Sequence, residues 1–204
     1  MSYDRNMKAT FALLANAEIH NLVRKLAWDI HRKYHTGIDI GRLPPHISLK
    51  QPFDISDVAI LESYLAELTG SLSPFEVTLT QLGLVRTMLD NLDTGILWLD
   101  VQETEILRQL HNRLNHDLAL RIGSAPAAFD GAAYHFHMTV AIAGQPHEVY
   151  RGIHEEFSSR LVNLKFMVEE MVMFIYDDDA SLAKGYMTYM VLPLGRTSIV
   201  GRLV

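Results

Sequence analysis

Pro45-His46-Ile47-Ser48-Leu49-Lys50-Gln51 is the stretch on which the fold turns, and Phe136-His137-Met138-Thr139-Val140-Ala141 is its counterpart further along the chain. In each, one apolar residue separates a histidine from a hydroxyl residue. Pro44-Pro45 stops any helix and favours an extended approach to His46. In a strand, residues i and i+2 project to one face and the residue between them to the other. His46 and Ser48 therefore share a face, as do His137 and Thr139, while Ile47 and Met138 point into a core. The first strand is predicted over His46–Gln51, so Lys50 continues the His46–Ser48 face.

Around these two strands the chain repeats itself. Residues 9–15 read as a short buried strand. Ile19, Leu22, Val23, Leu26 and Ile30 then recur at helical spacing and predict a helix over 17–34. After the first motif, Ser56 is the expected N-cap of a helix carrying Leu61, Tyr64, Leu65 and Leu68. Strands follow over 75–80 and 96–101, the second after a polar turn through Asp90–Gly95. A second helix-first series then begins. Ile106, Leu107, Leu110, Leu114 and Leu118 predict a helix over 103–121, and Gly123 to Ala133 form a loop. Tyr134–Ala143 is the strand that holds His137. Pro146 opens a helix with Val149, Tyr150, Ile153, Phe157 and Leu161 on its apolar side. Two last strands are expected near 164–175 and 185–193.

Both halves thus read helix, histidine strand, helix, strand, strand. The expected architecture is α+β. A single domain over 1–204 would hold two pseudo-symmetric lobes, roughly 1–102 and 103–194, with a tail over 195–204. Each lobe would have an antiparallel-rich sheet with helices on its outer face, and the lobes would enclose a central cleft.

The 204 residues suffice for a buried core, and 49% hydrophobic with 21% charged residues is an ordinary globular balance. No apolar run reaches the roughly 18 residues of a membrane helix. Met1 to Asn6 lack the pattern of a signal peptide, so a cytoplasmic location is expected. The absence of cysteine excludes disulfides, thiolate metal sites and a cysteine nucleophile. A net charge of −6 argues against a protein that grips long nucleic acid, yet it leaves room for a small nucleotide or an RNA end. Asp177-Asp178-Asp179 reads as a solvated loop. Nothing in the sequence specifies an oligomeric state.

Two imidazoles and two hydroxyls around one cleft suit phosphoester chemistry. One neutral histidine can take a proton from the attacking group while the other, protonated, gives one to the leaving oxygen. Imidazole titrates near neutrality, so both forms are accessible. Ser48 and Thr139 can hydrogen-bond the non-bridging phosphate oxygens, and Lys50 can add a positive charge. The scheme requires no metal. As strings the two motifs are close to chance, since roughly one H-x-[ST] match is expected at ordinary composition. Their equivalent places in the two halves give them weight.

His135 lies two residues before His137 and so shares its face, where it can orient substrate or tune His137. His135 and His137 could also form a metal pair, but spacing suggests no third ligand. Tyr134, Phe53 and Tyr186 are candidates for stacking a base, against the simpler reading of core or rim packing. Arg42 and Arg86 read as loop arginines. His20, His31, His35, His111, His116 and His154 fall on helices among charged residues and are expected to face solvent. His147 opens a helix. No phosphate-binding glycine loop, dinucleotide fingerprint or nucleophile elbow is present.

The stretches Pro45 to Phe53 and Phe136 to Ala141 resemble the paired signatures of the 2H phosphoesterase superfamily, in its 2'-5' RNA ligase-like branch, which includes RNA 2',3'-cyclic phosphodiesterases. The resemblance extends over nearly the whole chain. It implies two α+β lobes around a cleft, no metal cofactor, His46 and His137 as the acid/base pair, and Ser48 and Thr139 as phosphate contacts. It implies a hydrolase acting on a 2',3'-cyclic phosphate or a related nucleotide or RNA-end phosphodiester. Ligation on the same cleft, or nucleotide or RNA-end binding with weak turnover, are the alternatives. Val140-Ala141-Ile142-Ala143 departs from the RNA-processing members, which often carry a basic residue soon after the second motif.

Overall fold

The computed structural model describes residues 7–37, 42–55, 57–123, 127, 129–159, 163–177 and 186–195. Along these the elements run β1 (Met7–Leu14), α1 (Ala17–Tyr34), β2 (His46–Ser48), β3 (Phe53–Ile55), α2 (Val58–Gly70), β4 (Phe75–Leu89), β5 (Leu92–Val101), α3 (Glu105–Ile122), β6 (His137–Pro146), α4 (His147–Phe157), β7 (Leu164–Val168), β8 (Glu170–Asp177) and β9 (Tyr186–Pro193). Ser56, Leu161, the N-terminal Met1–Asn6, the acidic Asp178-Asp179 and the tail from Arg196 lie outside the described residues, as does the side chain of Tyr186.

Local chemistry sets the helix limits. The Asn16 side chain caps α1 by accepting from the Ile19 N–H at 3.0 Å. Glu18 sits in its first turn and His31, Arg32 and Lys33 in its last, which suits the helix dipole. His35, left-handed at φ 56°, closes the helix by donating its N–H to the His31 carbonyl. The side chain that caps α2 is Asp57, bonded to the Ala59 N–H at 2.9 Å. Thr104 caps α3. The turn after β4 is tighter than its polar composition suggests. Asp90 and Asn91 both have positive φ, 48° and 65°, the mark of a two-residue hairpin turn. Leu92 to Gly95 therefore already belong to β5, and Arg86 lies inside β4 with its guanidinium on Asp93.

The strands form two antiparallel sheets. The first has the order β2-β1-β8-β9, with β3 pairing further along β1, and the second has the order β6-β5-β4-β7. Each motif strand thus occupies a sheet edge, β2 beside β1 and β6 beside β5. β4 and β5 pair as a hairpin, whereas β8, from the second half, crosses over to pair with β1 of the first. The helices cross too. α1 packs on β6 and α4, while α3 is tied to the first sheet and to α2 through His111, Asp117 and Arg121.

This corrects the expected lobe boundary near residue 102. The order of elements repeats as expected, but each sheet is assembled from both halves: β8 and β9 join β1 and β2 in the first, and β4 and β5 join β6 and β7 in the second. The segment expected as one strand over 164–175 divides likewise, β7 joining the second sheet and β8 the first. Residues 171–176 of β8 are buried on both faces, as a central strand requires. One continuous core runs between the sheets and their helices. No helix among the described residues is long and apolar enough to cross a membrane.

Candidate active site

The two edge strands β2 and β6 lie side by side across the gap between the sheets. Ile47 and Met138 are fully buried, so alternation turns His46, Ser48, His137 and Thr139 toward that gap. α1 forms one wall. Arg24, Ala27, Leu43, Pro44, His46 and Thr139 line a pocket there.

The histidines are held in the same manner. His46 Nδ1 lies 2.8 Å from the Pro44 carbonyl, and His137 Nδ1 lies 2.9 Å from the His135 carbonyl. A carbonyl only accepts, so Nδ1 carries the proton in both rings and Nε2 is left for proton transfer. Burial, with charge on His137 and Arg24 acting in the same direction, lowers the His46 imidazole to about 4 against the Pro44 bond. Burial also lowers His137, but the His135 carbonyl and Asp100 oppose that fall. His137 therefore binds a proton more readily than His46. Neither the Ser48 nor the Thr139 hydroxyl is bonded to a protein group among the described residues, and both are partly exposed.

The surroundings differ. The His46 ring packs against Phe174, centroids 4.7 Å apart and planes at 60°. His137 instead lies over the Trp98 indole at 4.4 Å and beside His135 at 6.0 Å. His135 keeps a side-chain exposure of 55% and bonds Asp100 at 2.8 Å, so it shares the His137 face as its spacing predicts. Among the described residues no group of three histidine or carboxylate side chains is arranged to hold a metal.

Two expected substrate contacts are elsewhere. Lys50 is fully buried, with Nζ 2.8 Å from Asp130 and 2.6 Å from Asn115. The alternation ends with β2 at Ser48, so residue 50 no longer follows the motif face. Burial alone would raise the Asp130 carboxyl, yet Lys50 and the N–H groups of Gln51 and Ala127 hold it below the usual range. Tyr134 is also buried, at 3% exposure. Its hydroxyl donates to the Ser48 carbonyl at 2.9 Å and its ring stacks on His111 at 4.1 Å, which leaves no face for a base. Phe53 is likewise buried, against Phe11.

His111 corrects a further expectation, that the helical histidines face solvent. It is fully buried, donating from Nδ1 to the Leu49 carbonyl at 2.8 Å and accepting at Nε2 from the Gly131 N–H at 2.8 Å. Lys50, Asp130, His111 and Tyr134 together pin the loop before the second motif to the end of the first. Sequence reasoning misses Trp98, Asp100, Arg24 and Asp130. The i, i+2 spacing of Trp98 and Asp100 on a predicted strand is the signal available for that pair.

Comparison with known proteins agrees with this arrangement. A Staphylococcus aureus (strain Newman) protein, provisionally named a phosphoesterase, is 25% identical over 159 residues, covering 75% of this chain and 83% of its own length. The fold resembles TT0787 of Thermus thermophilus, with a TM-score of 0.61, 16% identity and coverage of 92% and 98% of the two chains. It also resembles E. coli LigT solved with 3'-AMP, at a TM-score of 0.52, 18% identity and coverage of 93% and 99%. The family model of the 2'-5' RNA ligase superfamily matches residues 16–180, both motifs included, and the chain belongs to that family.

Proposed function

We propose that the chain is a phosphodiesterase that opens a 2',3'-cyclic phosphate on a nucleotide or RNA end, with His46 as general base and His137 as general acid. The family supports a phosphoesterase or an RNA ligase-like activity. The observation that carries the finer reading is the matched pair of imidazoles, each anchored through Nδ1 to the carbonyl two residues before it. Neutral His46 takes a proton from water through Nε2 as the water oxygen bonds to phosphorus. The bond from phosphorus to one ribose oxygen breaks, and His137 gives that oxygen its Nε2 proton. Exchange with solvent then resets both rings. Ser48 and Thr139 hydroxyls donate to the non-bridging oxygens, where charge builds. A small substrate fits the −6 charge and the absence of a basic residue over Val140–Ala143. It also accords with the binding of 3'-AMP by the E. coli LigT relative.

The test is a hydrolysis screen over 2',3'-cyclic nucleotides, 2'-5' dinucleotides and ADP-ribose cyclic phosphate, with and without a chelator. Turnover of a cyclic phosphate that survives chelation and is lost in both His46→Ala and His137→Ala is expected. Full turnover by either variant would sink the two-histidine mechanism. Binding of a nucleoside monophosphate with no hydrolysis across the panel would instead favour a binding module, and joining of RNA ends with no hydrolysis would favour ligation.

A further inference from the structure

The second sheet builds a seat under one histidine. Trp98 pairs with Thr139 and Asp100 with His137 across β5 and β6, so all four side chains lie on the cleft face. On its other side Trp98 pairs with Gly83 of β4. A Cβ at Gly83 would come within 2.5 Å of the indole Nε1. Glycine is therefore what lets the indole lie against bare backbone. The indole N–H donates to Asp100 Oδ1 at 2.7 Å, which fixes the ring in its plane. The same carboxylate oxygen lies 2.8 Å from His135 Nε2, and its Oδ2 accepts from Gln81 at 3.2 Å. The His137 ring rests on the other side of this assembly, 4.4 Å from the indole and tilted by 31°.

We propose that Trp98 is a positioning residue: held by Gly83 and Asp100, its indole seats the His137 imidazole and favours its protonated form, so that this ring serves as the proton donor. An aromatic face attracts a cation more strongly than it attracts the neutral ring. The Asp100 carboxylate acts in the same direction. His135, on the same strand side, and His46, on β2, oppose it whenever they carry charge. At the first motif the His46 ring meets Phe174 at a steeper 60°, against 31° for His137 on Trp98, and has Arg24 nearby.

The role of the seat in turnover rests on the phosphodiesterase reading, but its effect on the ring does not. Imidazole Cε1–H titration by NMR in the substrate-free protein reads it directly. In Trp98→Leu the His137 midpoint should fall by roughly half a pH unit while His46 stays in place. Gly83→Ala, which displaces the indole, should shift His137 in the same direction. Trp98→Phe keeps a ring without the N–H and should give a smaller shift, and it serves if Trp98→Leu does not fold. With turnover, the basic limb of the kcat/KM profile should move by the same amount and the acidic limb should not. An unchanged His137 titration in a folded variant, or equal shifts at both histidines, would overturn the proposal. Loss of the phosphodiesterase reading would leave the NMR result standing.

Discussion

The two motif strands carry the same pattern, a histidine and a hydroxyl residue two positions on, and face each other across one gap, yet the walls behind them differ. Behind His46 the first sheet presents Ala12, Val172 and Phe174, all fully buried. Around His137 the second sheet presents Asp100, His135, Gln81 and the indole of Trp98. Chain duplication explains the matched backbone, and side chains from neighbouring strands break the symmetry. An acid/base pair requires this, because two identical imidazoles in identical surroundings would not divide their labour between holding a proton and lacking one.

The largest effects should come from the histidines. His46→Ala and His137→Ala should each lower kcat/KM by about a hundredfold to ten-thousandfold on a cyclic phosphate. A substrate with an activated aryl leaving group sharpens the comparison. The leaving aryloxide needs no proton, so most of the His137→Ala loss should disappear while the His46→Ala loss remains. Equal losses on both substrates would assign the roles otherwise.

Lys50→Met comes next and acts on stability. It strands the Asp130 carboxylate in the interior and should cost about 3–5 kcal/mol in denaturant unfolding, with Lys50→Met/Asp130→Leu recovering much of the loss. If the stability were unchanged and KM rose instead, Lys50 would be a substrate contact after all. Thr139→Val should lower kcat on the order of a hundredfold with little change in thermal stability, since the hydroxyl contacts no protein group among the described residues.

A smaller effect concerns pH. Burial holds His46 at about 4 in the folded chain against 6.5 for a free imidazole. The unfolded chain therefore takes up the extra proton, and stability falls as pH drops from 6.5 toward 4. His46→Gln should flatten that part of a plot of melting temperature against pH, and an unflattened plot would place the proton uptake elsewhere. Arg86→Ala should do least. Its pair with Asp93 is exposed on the hairpin, and thermal unfolding should not detect its loss.

What is legible in the sequence follows the range of the forces involved. α1 can be read over 17–34 because caps, charge placement and an apolar stripe all lie within one helix length. The motif faces can be read because alternation is local. Lys50 is misread because the end of β2 depends on pairing with β1. Tyr134 and His111 are misread because their partners, the Ser48 and Leu49 carbonyls, are distant in the chain. Trp98 and Asp100 gain their meaning only from the register of β5 with β6 and the bare backbone at Gly83. That information resides in the pairing of distant segments rather than in any one of them.

The pairing of β1 with β8 has a consequence for how the chain is made. β1 (Met7–Leu14) leaves the ribosome well before its neighbour β8 (Glu170–Asp177). At roughly 5–20 residues per second, β1 waits on the order of ten seconds for that partner. Meanwhile β4, β5, β6 and β7 emerge in succession and can pair as they appear. The second sheet can thus assemble before the first is complete. Until then the edge of β1 that β8 will cover is open to other chains, so the long-range pairing that shapes the cleft also sets a period of exposure in the nascent protein.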